Sequence, residues 1–196
     1  MNNYVYIIAG LPDIVLDFKN NGLSYHDLST QIKEFVLEKD LHIIELCEKG
    51  FDDKELGESF YRQINSCNDK FLSTYYTFDK NLRNTQVLYL AKKNNLKSDG
   101  LTVGDVDNEF EEYKQVESIL ANPNILEREK LLDNLRWEKV SQITIFEYFT
   151  LDKILAFLVK MNIVERWNKS DAKTGQEFFQ KLVEEVRGTF KVVQFE

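Results

Sequence analysis

Breakers and reactive side chains are scarce in this chain, which has two prolines, two cysteines, two histidines and eight glycines in 196 residues. With only Pro12 and Pro123 and so few glycines, a fold of many short strands joined by turns is disfavoured, and long helices are expected. Two cysteines make no disulfide framework; beside abundant Lys, Glu and Asn, Cys47 and Cys67 suit a reducing cytoplasm and are read as buried thiols. Long hydrophobic runs are missing as well. The one apolar run near the start, Tyr4 to Gly10, has no basic residue before it and Pro12 and Asp13 after it, so it fits neither a signal peptide nor a spanning helix. Direct membrane insertion is not expected, and a cytoplasmic location is. Positive charge is in deficit too: 25 Lys+Arg against 33 Asp+Glu leave a net charge of −8. That balance argues against a phosphate-backbone footprint, and hence against nucleic acid as a partner.

Catalytic constellations are absent. His42 and Cys47 are five residues apart, a rotation of about 140° on a helix, so they do not share a face as metal ligands would. Cys47 instead falls four after Ile43 on the apolar side, and His26 stands alone near a helix start. There is no Gly-x-Ser-x-Gly elbow and no nucleophile with a placed base. Gly100 to Gly104 lacks the lysine and spacing of a phosphate loop, and Asp105 to Glu109 lacks the glycine and distal glutamate of a calcium hand. Both read as turn and N-cap chemistry. No catalytic residue, metal or cofactor is assigned.

What the chain does have is helical periodicity over nearly its whole length. A domain of this size buries about 70% of the surface its unfolded chain exposes, so a real core is attainable. Ser24 opens a helix with Leu28, Ile32, Phe35 and Val36 on one face, and Asp40 opens a second with Leu41, Ile44 and Cys47 that Gly50 closes as a left-handed cap. From Phe60 the stripe Phe60, Ile64, Cys67, Phe71, Tyr75, Phe78, Leu82 and Tyr89 predicts one long helix or two collinear pieces. Unbroken from Glu58 to Lys93, this spine would extend about 50 Å. A loop over 94–107 follows, then helices over 107–121 and 126–140, with Asn122-Pro123 between them. Thr150 starts a helix apolar over so much of its circumference, through Leu151, Leu155, Leu158 and Trp167, that it is expected at the centre of the C-terminal half. A last helix starts at Ser170 or Asp171 and stops at Gly188. The expected fold is all-α: an elongated helical bundle with a spine helix and a short strand at the N- or C-terminus. It forms one domain over 1–196, with a sub-boundary near 95–106.

One polar knot interrupts the spine. Asp79 and Arg83, four apart, pair on one face with the acid first. Either they form a solvated ion pair contributing a few tenths of a kcal/mol, or they belong to a buried cluster in which Asn81 and Asn84 supply amide partners.

Three stretches resemble the helical, funnel-shaped stalk subunit that joins the central axle to the membrane rotor ring in archaeal and bacterial V-type rotary ATP synthases and in vacuolar pumps. They resemble more closely a short bacterial family of unassigned function encoded beside such synthases. The first is the tyrosine-rich opening that holds Tyr4 and Tyr6 and ends in Leu11-Pro12. The second is Asp79-Lys-Asn81-Leu-Arg83-Asn84, similar to an acid, asparagine and arginine helix of the funnel-shaped subunit. The third is Trp137 to Gly175, including Phe146, Phe149, Asp152, Leu155, Lys160, Arg166 and Trp167. The funnel-shaped subunit is much longer and built of repeated helical units, part of which this chain would lack.

The resemblance implies a non-catalytic component or accessory protein that links or regulates the central stalk. Its partners would be the central-stalk subunits or the rotor ring, through which alone it would be peripheral to a membrane. It also implies that Tyr4, Tyr6, Asp79, Asn81, Arg83, Asn84, Trp137, Arg166 and Trp167 are structural or partner-binding residues. Nine Tyr and fourteen Phe suit an interface as well as a core. The alternative is a free-standing ligand-binding protein or enzyme with an aromatic-lined pocket at Tyr61, Tyr75 and Trp167.

Overall fold

A computed structural model of the chain describes residues 4–18, 22–98, 100–107 and 109–169. All regular structure among them is helical: α1 (Val5–Gly10), α2 (Tyr25–Phe35), α3 (Glu38–Lys49), α4 (Glu58–Ser66), α5 (Lys70–Lys93), α6 (Tyr113–Leu120), α7 (Ile125–Ile143) and α8 (Leu151–Lys169). The all-α class is as expected, but the N-terminal strand is not found, since Val5–Gly10 is a short helix. The expected last helix and the C-terminal strand lie outside the described residues. No helix among the described residues is long and apolar enough to cross a membrane.

The starts of the helices follow local capping chemistry. Ser24, Asp69 and Asn124 each accept a hydrogen bond from the backbone N–H three residues on, satisfying a donor that the first turn leaves orphaned. Helix α5 ends where Asn95 adopts φ 55° and Leu96 N–H reaches back to the Ala91 carbonyl, the wrap that closes helices at a left-handed residue. Gly50 departs from the expected left-handed cap. Its φ is −72°, and what demands glycine is the Tyr76 ring, which occupies the place a Cβ would take.

The spine is broken. Asn68 at φ 54° ends α4, Asp69 caps a new helix, and Phe60 of α4 packs edge-on against Tyr76 of α5 with ring centroids 4.9 Å apart. In a continuous or collinear helix, sixteen residues would separate these rings by about 24 Å. The two helices instead form a hairpin, and the stripe passes unbroken through the turn because both arms present it to the same core. Cys47 is fully buried as expected, whereas Cys67, at this turn, is only half-buried.

Two apolar clusters result among the described residues. The larger gathers Ile32, Ile44, Phe60, Phe71, Tyr76 and most of α8, whose Ile154, Leu155, Leu158 and Met161 are fully enclosed. The smaller holds Phe78, Leu82, Val116, Ile119, Leu132 and Leu135. Helix α5 supplies both, and α7 does so as well, with Leu132 and Leu135 in one and Val140 in the other.

Candidate functional site

Asp79 sits on α5 between the two clusters and is 3% exposed. A carboxylate taken from water needs full compensation, and it has two charged donors. Arg83 Nε reaches one oxygen at 2.6 Å and Arg136 Nε of α7 the other at 2.9 Å. Arg136 also donates through Nη1 to Asp133 at 3.2 Å, one turn earlier on the same helix. Asp133 accepts further bonds from Arg166 and from Trp167 Nε1, the latter at 2.7 Å, so the chain of charges ties α5 to α7 and α7 to α8. Arg83 Nη1 meets the exposed Asp53 at 2.8 Å on the outer side.

The electrostatics follow from this geometry. Burial pushes the Asp79 carboxyl upward, but the charges and hydrogen bonds of Arg136 and Arg83 outweigh it and hold the group below its usual range. Burial would likewise favour neutral guanidinium at Arg136, and Asp79 more than reverses it. The Asp79–Arg83 pair is therefore part of a buried cluster, not a solvated pair.

The asparagines are not part of that cluster. At 100° per residue Asp79 and Arg83 stand about 40° apart, while Asn81 and Asn84 fall on the other side of the helix. Asn84 there accepts from Val103 N–H at 3.0 Å and donates to its carbonyl at 3.1 Å, as a neighbouring strand would. Asn81 donates to Asp107 at 2.9 Å, and its buried side-chain oxygen has no partner among the described residues. These amides pin the loop after α5 and take no part in satisfying Arg83, correcting the expectation. Asp107 also accepts from Glu109 N–H at 2.9 Å, the turn chemistry read from the sequence.

Of the other singled-out residues, Arg166 and Trp167 join the network. Trp137 points elsewhere, with Lys160 Nζ 4.6 Å above its ring. Tyr4, buried in the larger cluster, and the exposed Tyr6 lie away from the network. The Tyr4 hydroxyl donates to Asp40, its N–H to the Phe149 carbonyl at 2.8 Å, and Tyr6 meets Phe35 edge-on at 6.0 Å. Helix α1 thus joins the α2–α3 junction to the α7–α8 loop, and that surface is strongly apolar: Tyr6 is 80% and Phe146 82% exposed, with Phe35, Tyr148 and Phe149 also exposed.

Sequence reasoning missed Asp133 and Arg136. Their signal is charge on the apolar stripe of α7, since Arg136 falls four before Val140 and four after Leu132.

Beside the network lies a cavity of about 90 Å³ whose lining includes Tyr75, Arg83, Arg136 and Asn162. Tyr61 and Trp167, expected with Tyr75 in one pocket, do not line it. Among the described residues no group of three or more His, Cys, Asp or Glu is placed to hold a metal ion.

Residues 103–189 match the family model of a protein of unknown function, DUF2764. No curated protein and no solved structure matches. The DUF2764 match takes in α6, α7 and α8, hence Asp133, Arg136, Arg166 and Trp167, and leaves Asp79 and Arg83 outside it. Its description names no activity or partner, so any link to rotary ATP synthases rests on the three stretches of sequence alone.

Proposed function

We propose that the protein is a non-catalytic accessory component of a V/A-type rotary ATP synthase, acting by docking onto central-stalk subunits or the rotor ring. The observation that carries a docking role is the exposed aromatic surface formed by α1, the end of α2 and the α7–α8 loop. Large apolar side chains concentrated there cost solubility unless a partner covers them. Beside Tyr6 and Phe35, a groove of about 370 Å³ lined by Ile7, Leu11, Leu28 and Ile32 offers a seat for apolar anchors. The Asp79–Arg136–Asp133 network serves the fold in this reading, because its carboxylates are taken up by arginine. The choice of a rotary ATPase as partner rests on the resemblance of Tyr4 to Pro12, Asp79 to Asn84 and Trp137 to Gly175.

Co-purification from cells that make the synthase tests this. Wild type should bring down ATPase components, and a Tyr6→Ser/Phe146→Ser variant, altered only at exposed side chains, should fold and lose them. Wild type that retrieves no ATPase component ends the assignment.

A further inference from the structure

We propose that the cavity between α5, α7 and α8 is a binding site for a small oxyanion, a phosphate or a short carboxylate, held by Tyr75, Asn162, Arg83 and Arg136. This site is distinct from the aromatic docking surface and does not depend on that reading.

The polar capacity left over around the cavity sets the ligand's class. The carboxylate oxygens of Asp79 and Asp133 all accept hydrogen bonds from arginine or tryptophan, so they offer little to a cation. Donors remain. Arg83 uses Nε and Nη1 on Asp79 and Asp53, and Arg136 uses Nε and Nη1 on Asp79 and Asp133, which leaves Nη2 of each guanidinium without a partner among the described residues. Tyr75, only 5% exposed, lines the same cavity with Asn162, and neither the Tyr75 hydroxyl nor the Asn162 amide has a hydrogen-bond partner among the described residues. Burial, then the Asp79 charge, keep that phenol protonated at neutral pH, so it too is a donor. Donors on α5, α7 and α8 that converge on one small space match the oxygens of an oxyanion, and paired guanidinium edges suit its geometry.

Size and access fit as well. A water needs about 10–15 Å³ of such space, so about 90 Å³ admits an inorganic phosphate or a two- or three-carbon acid but no nucleotide. Arg83 stands at the mouth, one-third exposed, and its outer partner Asp53 lies in solvent, where it can be displaced. Fixed aspartates balance the arginines, so binding should be modest in strength and weakened by salt.

Thermal melts and titration calorimetry of the full chain against inorganic phosphate and against acetate, with chloride at equal ionic strength as reference, test the site. At about ten times the dissociation constant a saturable rise of about 3–6 °C in Tm is expected for at least one anion. Phosphate alone, or acetate alone, then names the class. Tyr75→Phe, which removes one oxygen atom, and Asn162→Leu should each weaken that binding about tenfold, while Phe146→Ser at the distant aromatic surface should leave it unchanged. Arg83→Lys should weaken it similarly; if that variant does not fold, the first two decide. No saturable effect of either anion beyond chloride, or undiminished binding in both Tyr75→Phe and Asn162→Leu, overturns the proposal.

Discussion

At the scale of single residues, the two arginines that share Asp79 should not be equivalent. Arg136 is 8% exposed and bonds two buried carboxylates, so Arg136→Gln removes one charge-assisted bond from each, leaving Asp79 with Arg83 and Asp133 with Arg166 and Trp167, and should cost about 3–5 kcal/mol. Arg83 is partly solvated and leaves Asp79 with Arg136 when removed, so Arg83→Gln should cost about 1–2 kcal/mol. Urea denaturation at neutral pH measures both, and equal losses would mean that the pairs are not ordered as described. The acid response follows from the same residue. Because the folded pKa of Asp79 lies below the unfolded one, its stabilisation is fully present above the ordinary aspartate value of about 3.9 and is lost as pH falls through the lower folded value. Half of this site was legible in the sequence. Asp79 and Arg83 announce themselves by spacing alone, whereas Arg136 is 57 positions from Asp79 and their meeting is decided by how α5 packs on α7. Asn81 and Asn84 are near Arg83 in sequence, but the helix turns both away from the face that Asp79 and Arg83 share.

At the scale of elements, caps and periodicity carried the reading wherever the signal is local. Ser24, the central place of α8 and the loop after α5 were all visible, because a cap or a stripe needs only its own neighbours. The α4–α5 hairpin was not, since its stripe keeps step across Asn68 and only the left-handed residue and the Asp69 cap betray the turn. Leu155, enclosed on all sides at the middle of α8, should cost about 2–5 kcal/mol on truncation to alanine, read from the shift of the urea midpoint. The start of the same helix makes an opposite prediction. Asp152 is half-buried near Asp69, which caps α5, and near Glu147; burial first, then these charges, push its carboxyl up to about 6. An acid raised in the fold destabilises it once charged: the cost is absent below the unfolded value of about 3.9 and complete above pH 6. Asp152→Asn should therefore stabilise by about 1–2 kcal/mol at pH 8, after allowance for solvent screening, and by nothing at pH 3.5. A gain independent of pH would trace to the helix start and not to charge.

At the scale of the whole molecule, the question is whether two apolar clusters behave as one cooperative unit. No helix boundary separates them: along α5, Tyr75 and Tyr76 face one cluster and Phe78 and Leu82 the other, and α7 divides in the same way. The Asp79–Arg136 pair ties these two helices where the clusters meet, and opening either cluster alone would strip the buried Asp79 of one of its two arginines. One coincident transition is therefore expected for the wild type when urea unfolding is followed by far-ultraviolet circular dichroism, which sees all helices, and by tryptophan fluorescence. Both tryptophans, Trp137 and Trp167, pack against the larger cluster only. Leu132→Ala lies in the smaller cluster, yet should move the tryptophan transition together with the helical one, by about 2–5 kcal/mol. Removing the tie with Asp79→Asn/Arg136→Gln should let the two probes separate, the smaller cluster melting first because it encloses fewer side chains. If Leu132→Ala shifts the helical signal and leaves the tryptophan midpoint in place, the clusters fold independently, and α5 is a shared strut between two units and not the centre of one.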